Sequence, residues 1–151
     1  MISLANKIKL FPIAAQASLL GKTYPGSSVK TLMDRELIWQ HTIQPSPLSD
    51  QYKVLLHYSV GSSPEFYVVQ PSPLSLAKSA TKLPHVYDQK TQRLCLYYPD
   101  GKQWNKSKPL ARTVVFWAYE WLYHYEIWLG TDDEWKGGGI HPFSEKQKFK
   151  R

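Results

Sequence analysis

The chain of 151 residues has one cysteine, Cys95. A lone cysteine makes no intrachain disulfide, so its thiol serves either as packing or as a group kept for reaction. Free cysteine is among the most buried residue types, which favours packing. The neighbourhood argues the other way. Arg93 lies two residues before it, and Lys102, Lys106, Lys108 and Arg112 follow closely, an electropositive setting that favours thiolate over thiol. On that ground Cys95 is a candidate nucleophile.

Other chemistries fail on spacing. Gly21-Lys22-Thr23 looks like the end of a phosphate loop, but the position five residues earlier is Gln16, so the glycine that a phosphate cradle needs is missing. No nucleophile-elbow serine is present, and the histidines at 41, 57, 85, 124 and 141 lack paired metal-ligand spacing. Neither a metal nor any other cofactor is expected. Gly137-Gly-Gly139 reads as a flexible linker or, between Trp135 and His141-Pro142, as a shaped loop that lets backbone approach a site.

The elements that must position the thiol are legible in outline. A short helix is expected over 13–20, after Pro12 and ending at Gly21. Three strand-forming runs follow at Glu36–Ile43, Tyr52–Ser59 and 65–69, separated by the breaks Pro45-Ser-Pro-Leu-Ser-Asp50 and Gly61-Ser-Ser-Pro64 and closed by Pro71-Ser-Pro73. Such short breaks favour an antiparallel meander, because parallel neighbours need long crossovers. A helix is expected after Pro109, running to Leu129 and stopping at Gly130. Val114, Trp117, Trp121, Tyr125 and Trp128 form one apolar stripe on it, and Phe116, Tyr119, Tyr123 and Ile127 form another. A helix apolar over most of its circumference belongs in a core against the sheet, with an exposed aromatic edge for docking a partner as the alternative.

The predicted fold class is therefore α+β, an antiparallel meander packed against a long helix in the C-terminal half. Length and 42% hydrophobic content fit one domain over residues 1–151. The formal charge of +7 owes much to the terminal run Glu145-Lys-Gln-Lys-Phe-Lys-Arg151, and no binding motif accompanies it, so direct nucleic-acid function is not the leading reading. Lys7, Lys9 and Ala15-Gln16-Ala17 imitate an export signal, but Pro12 and Gln16 interrupt the apolar run. No stretch approaches the about 18 apolar residues of a membrane span. A cytoplasmic protein with a reduced thiol is expected.

Three motifs together carry a resemblance: Leu94-Cys-Leu-Tyr-Tyr-Pro-Asp-Gly-Lys-Gln-Trp104, Trp117-Ala-Tyr-Glu-Trp-Leu-Tyr-His-Tyr-Glu-Ile-Trp128 and Trp135-Lys-Gly-Gly-Gly-Ile-His-Pro142. With a short helix, a meander and a histidine ten residues before the cysteine, the chain resembles the ubiquitin-conjugating enzyme fold. Closer still, it looks like the bacterial ubiquitin-conjugating-like proteins of CBASS antiphage operons. The resemblance implies that Cys95 accepts an acyl group as a thioester and that a lysine amine then attacks it, leaving an isopeptide bond. It also implies a donor, the C-terminus of the operon's cyclic-oligonucleotide synthase (a CD-NTase), and an activating enzyme, since no ATP site is recognisable here. Some such operons lack a separate activating enzyme, and this short chain fits that arrangement.

Where the eukaryotic enzymes carry His-Pro-Asn before the cysteine, this chain has His85-Val86-Tyr87. The asparagine that stabilises the oxyanion in that pattern is absent, and Tyr87 or backbone amides are the candidate replacements. His85 is read as organising the loop. Asp100, Asp132 and His141 are candidates for desolvating or orienting the amine, against a plain solvated-loop reading. Trp135, Gly137, Gly138 and Gly139 are expected to fold back near Cys95 and shape the path of the donor's tail. A noncatalytic adaptor of the same fold, with Cys95 as packing, is the alternative function. A basic nucleic-acid binder is a more distant one.

Overall fold

A computed structural model describes residues 10–98 and 102–136. Pro12, extended at φ −62°, precedes helix α1, Ile13–Thr23. Strands β1 Ser28–Leu32, β2 Glu36–Ile43, β3 Tyr52–Ser59 and β4 Glu65–Gln70 follow, then the short strands β5 Val86–Asp88 and β6 Arg93–Leu94. A 3₁₀ turn, Leu110–Arg112, leads into helix α2, Val114–Thr131. Among the described residues, no helix is long and apolar enough to cross a membrane.

The six strands form one antiparallel sheet in the order β1-β2-β3-β4-β6-β5. The first four are the expected meander, with one strand more than the sequence suggested. β1 escaped notice because Ser-Val-Lys-Thr-Leu lies at the sheet edge, almost wholly exposed, and shows no apolar alternation. It is joined to β2 by a tight turn in which Met33 and Asp34 both take positive φ, 52° and 54°, the backbone of the hairpin turns whose twist matches that of the strands. At the other edge β6 slips between β4 and β5, with Tyr67 opposite Arg93 and Val86 opposite Leu94. Cys95 emerges directly from this inserted strand.

Alternation along the strands sends Leu37, Trp39, Ile43, Val54, Leu56, Tyr58, Phe66, Val68 and Leu94 into one core. Leu20 of α1 and Val114, Val115, Ala118, Trp121, Leu122, Tyr125 and Trp128 of α2 join the same cluster. Each large apolar side chain buried there contributes about 1.5–3 kcal/mol. The two expected stripes on α2 therefore differ in fate: Phe116, Tyr123 and Ile127 stay exposed, and Trp117 is only half buried, resting on Tyr97.

Three expected boundaries move. α1 continues past Gly21 to Thr23, because Tyr24 anchors its end by donating its hydroxyl to the Ala111 carbonyl at 2.7 Å. α2 passes through Gly130 and stops at Asp132, which is left-handed at φ 57° and returns its amide to Trp128. The stretch after Pro109 is 3₁₀ before it is α, and Gln16 explains why. Buried on α1, it accepts from the Leu110 amide at 2.8 Å and donates to the Lys108 carbonyl at 3.0 Å. The residue that disqualified a phosphate loop is thus a clasp between α1 and the approach to α2.

Candidate active site

Cys95 is held by its backbone before its side chain acts. Its amide donates to the His85 carbonyl at 3.0 Å, prolonging the β5–β6 ladder by one step. That carbonyl also accepts the indole N–H of Trp121 at 3.0 Å, so a core tryptophan of α2 and the cysteine share one acceptor. His85 reaches this geometry with φ at 51°, a left-handed conformation that is uncommon outside glycine. Its ring lies against Trp135, with centroids 5.4 Å apart. Trp135 in turn contacts Trp121 at 5.1 Å and Trp128 at 6.2 Å.

The side chain of Cys95 is partly buried. The Tyr87 hydroxyl and the Arg93 guanidinium lie near enough to favour its charged form. Burial pushes the thiol up, while Tyr87 and Arg93 pull it down, and burial wins. The thiolate-favouring surroundings expected from the sequence are therefore not realised as a net effect. Lys102, Lys106, Lys108 and Arg112 are not among the groups that shift the thiol. Lys108 spends its ammonium on the Gln103 carbonyl at 2.7 Å.

Tyr87 itself is nearly half exposed and its phenol is pushed up, first by burial and then by the neighbouring Cys95. Its hydroxyl donates to the Tyr97 carbonyl at 3.4 Å. Arg93 lies over the Tyr87 ring, its guanidinium carbon 4.8 Å from the centroid. Tyr87 and Arg93 border a cavity of about 150 Å³ that Ser63, Phe66, Leu94, Leu96 and Tyr97 also line. Cys95, Tyr87, Arg93 and the His85 carbonyl thus gather at one sheet edge.

Asp132 turns out to be occupied. Its carboxylate accepts from the Ser79 amide at 3.0 Å and from the Ser79 hydroxyl at 2.9 Å, tying the end of α2 to the loop after β4. Asp100, Gly137, Gly138, Gly139 and His141 lie outside the described residues. Sequence reasoning weighed Arg93 only as one of several nearby charges and passed over Gln92. Buried Gln92 donates to the Val68 and Pro71 carbonyls, each at 3.0 Å, and accepts from the Leu74 amide at 2.6 Å, fixing β6 against the loop that follows β4. A polar residue inside a turn signals exposure in sequence, so nothing local marks it as buried.

An α+β layer with a long helix behind an antiparallel sheet, and a cysteine emerging from the strand next to its edge, defines an E2-like domain. The family model of the type II CBASS E2 protein matches residues 16–142, and the chain belongs to that family. No curated protein matches it at a significant level. Membership gives the protein an E2-like role in CBASS, working with the CBASS machinery.

Proposed function

We propose that Cys95 carries an acyl group as a thioester and passes it to an amine, and that the donor is the C-terminus of the CBASS cyclic-oligonucleotide synthase. The observation that supports this most is the placement of Cys95 just past the end of β6, its amide fixed on the His85 carbonyl, with Tyr87 and Arg93 near enough to favour its charged form. A thiol that must leave as thiolate gains from a phenol and a guanidinium beside it. Tyr87 favours the charged form of the reacting sulfur. His85 serves through its carbonyl, which fixes the height of the Cys95 backbone. Trp135 covers the His85 ring and carries the chain toward Gly137, Gly138 and Gly139, which shape the path of the donor tail; Asp100 and His141 orient the incoming amine.

In the reaction, the activated acyl carbon is attacked by the Cys95 thiolate, and the activating group leaves. The resulting thioester is attacked by an amine, the C–N bond forms, the C–S bond breaks, and the sulfur departs as thiolate. The acyl carbon is activated before these steps, by an adenylating enzyme where the operon encodes one.

Co-expression with the neighbouring synthase and intact-mass measurement test the reading. The expected species is this chain plus the donor, released by hydroxylamine or by a thiol reductant and absent from Cys95→Ala. If the synthase instead binds without any covalent adduct, equally in wild type and Cys95→Ala, the protein is an adaptor of the same fold.

A further inference from the structure

Among the described residues, the Arg93 cation has no hydrogen-bond acceptor. Its Nε is buried and makes no hydrogen bond, and among the described residues the ion pairs are those of His57 with Glu36 and Glu65, not of Arg93. The carboxylate of Glu65, whose charge is felt by Arg93, is already engaged by the Tyr67 hydroxyl at 2.5 Å and by His57 at 3.5 Å. What the guanidinium does have is the face of Tyr87 at 4.8 Å and one wall of a cavity that Leu94 and Leu96, the residues on either side of Cys95, also line. A desolvated Nε–H with no acceptor among the described residues, set in a rigid fork of donors, suits an oxygen that arrives from outside. In an extended chain residues two apart project to the same side, and Arg93 and Cys95 stand in that relation at the end of β6.

We propose that Arg93 receives the acyl oxygen of the group carried on Cys95 and stabilises the oxyanion formed when the thioester is attacked. This rests on the acyl-carrier reading of Cys95. The amine lone pair adds to the thioester carbon, and the carbonyl π pair moves onto oxygen, where the guanidinium holds it by charge and hydrogen bonds. Collapse restores the C=O bond and expels the C–S pair onto Cys95 as thiolate, beside Tyr87, while the excess proton on the new amide nitrogen passes to water. Arg93 neither gives nor takes a proton in these steps. Its part is electrostatic, and the cavity of about 150 Å³ that it lines beside Leu94 and Leu96 gives room for the acyl oxygen.

The test loads Cys95 by exchange from a short synthetic peptide thioester and follows single-turnover transfer to free lysine in wild type, Arg93→Gln and Arg93→Lys. Alkylation of uncharged Cys95 by iodoacetamide is measured in parallel. Loss of an oxyanion donor predicts a fall of about 100-fold or more in transfer for Arg93→Gln, a smaller fall for Arg93→Lys, and little change in alkylation. Transfer unchanged in both variants overturns the proposal. So does a fall in transfer matched by an equal fall in alkylation, which reads as a role confined to the thiolate. Should Arg93→Gln not fold, Arg93→Lys at wild-type transfer rate overturns it alone. Failure of wild-type Cys95 to become charged overturns the acyl-carrier reading instead, so the two failures are told apart.

Discussion

At the scale of single residues, the thiol of Cys95 is set by three opposed influences whose signs are separable. Burial disfavours the thiolate, while the Tyr87 hydroxyl and the Arg93 charge favour it. Because the net direction is upward, alkylation of the native protein should climb with pH to a midpoint above that of an ordinary cysteine. Tyr87→Phe removes one of the two groups that favour the thiolate, so the midpoint should rise further, as rates of iodoacetamide labelling across pH will show. An unmoved midpoint would mean that the Tyr87 hydroxyl has no bearing on the sulfur. The sequence showed Cys95 and its basic neighbours but not this balance. Charge can be counted along a chain, whereas desolvation depends on what packs over the sulfur, and that is decided by β6 entering the sheet between β4 and β5.

At the scale of elements, α2 and the sheet edge are joined through one carbonyl. Trp121 belongs to the core and also donates to the oxygen that holds the Cys95 amide. Trp121→Ala should cost about 3–5 kcal/mol, the usual range for emptying a buried tryptophan site. Trp117→Ala, at a half-buried position, should cost clearly less; urea unfolding midpoints compare the two. Equal losses would contradict the division of α2 into a buried and an exposed face. The outer face of the sheet offers a second check. His57, on β3, lies 2.5 Å from Glu36 of β2 and 3.5 Å from Glu65 of β4, and its imidazole is raised above the ordinary value mainly by the Glu36 bond. A raised histidine stabilises the fold fully below the unfolded value of about 6.5, and the gain fades as pH climbs through the higher folded value. Partial exposure limits it to about 1 kcal/mol or less. His57→Gln should therefore flatten the stability profile between mildly acidic and mildly alkaline pH, and a slope unchanged in that variant would remove the pair from the account. β2, β3 and α2 were legible because their apolar residues recur with the period of the element. β1, β5 and β6 were not, since an exposed edge strand and two short strands of three and two residues carry too few buried positions to show a period.

At the scale of the molecule, the core is continuous from α1 through the sheet to α2, and the reacting edge is built where the chain departs from a simple meander. Gln16 closes α1 on the approach to α2, and Gln92 closes β6 on the loop after β4. Both are polar side chains whose sequence context gave no sign of burial. Membership of the type II CBASS E2 family ties this architecture to the CBASS machinery, and the acyl-carrier reading then stands on one sulfur. The most direct test co-expresses Cys95→Ser with the synthase and maps the adduct by fragment mass. An oxygen ester passes its acyl group to amines more slowly than a thioester does, so the account predicts the synthase's C-terminal residue trapped on position 95 as a hydroxylamine-labile ester. Conjugates that form in Cys95→Ala at the wild-type rate, or an adduct in Cys95→Ser that maps to any residue other than 95, would contradict it.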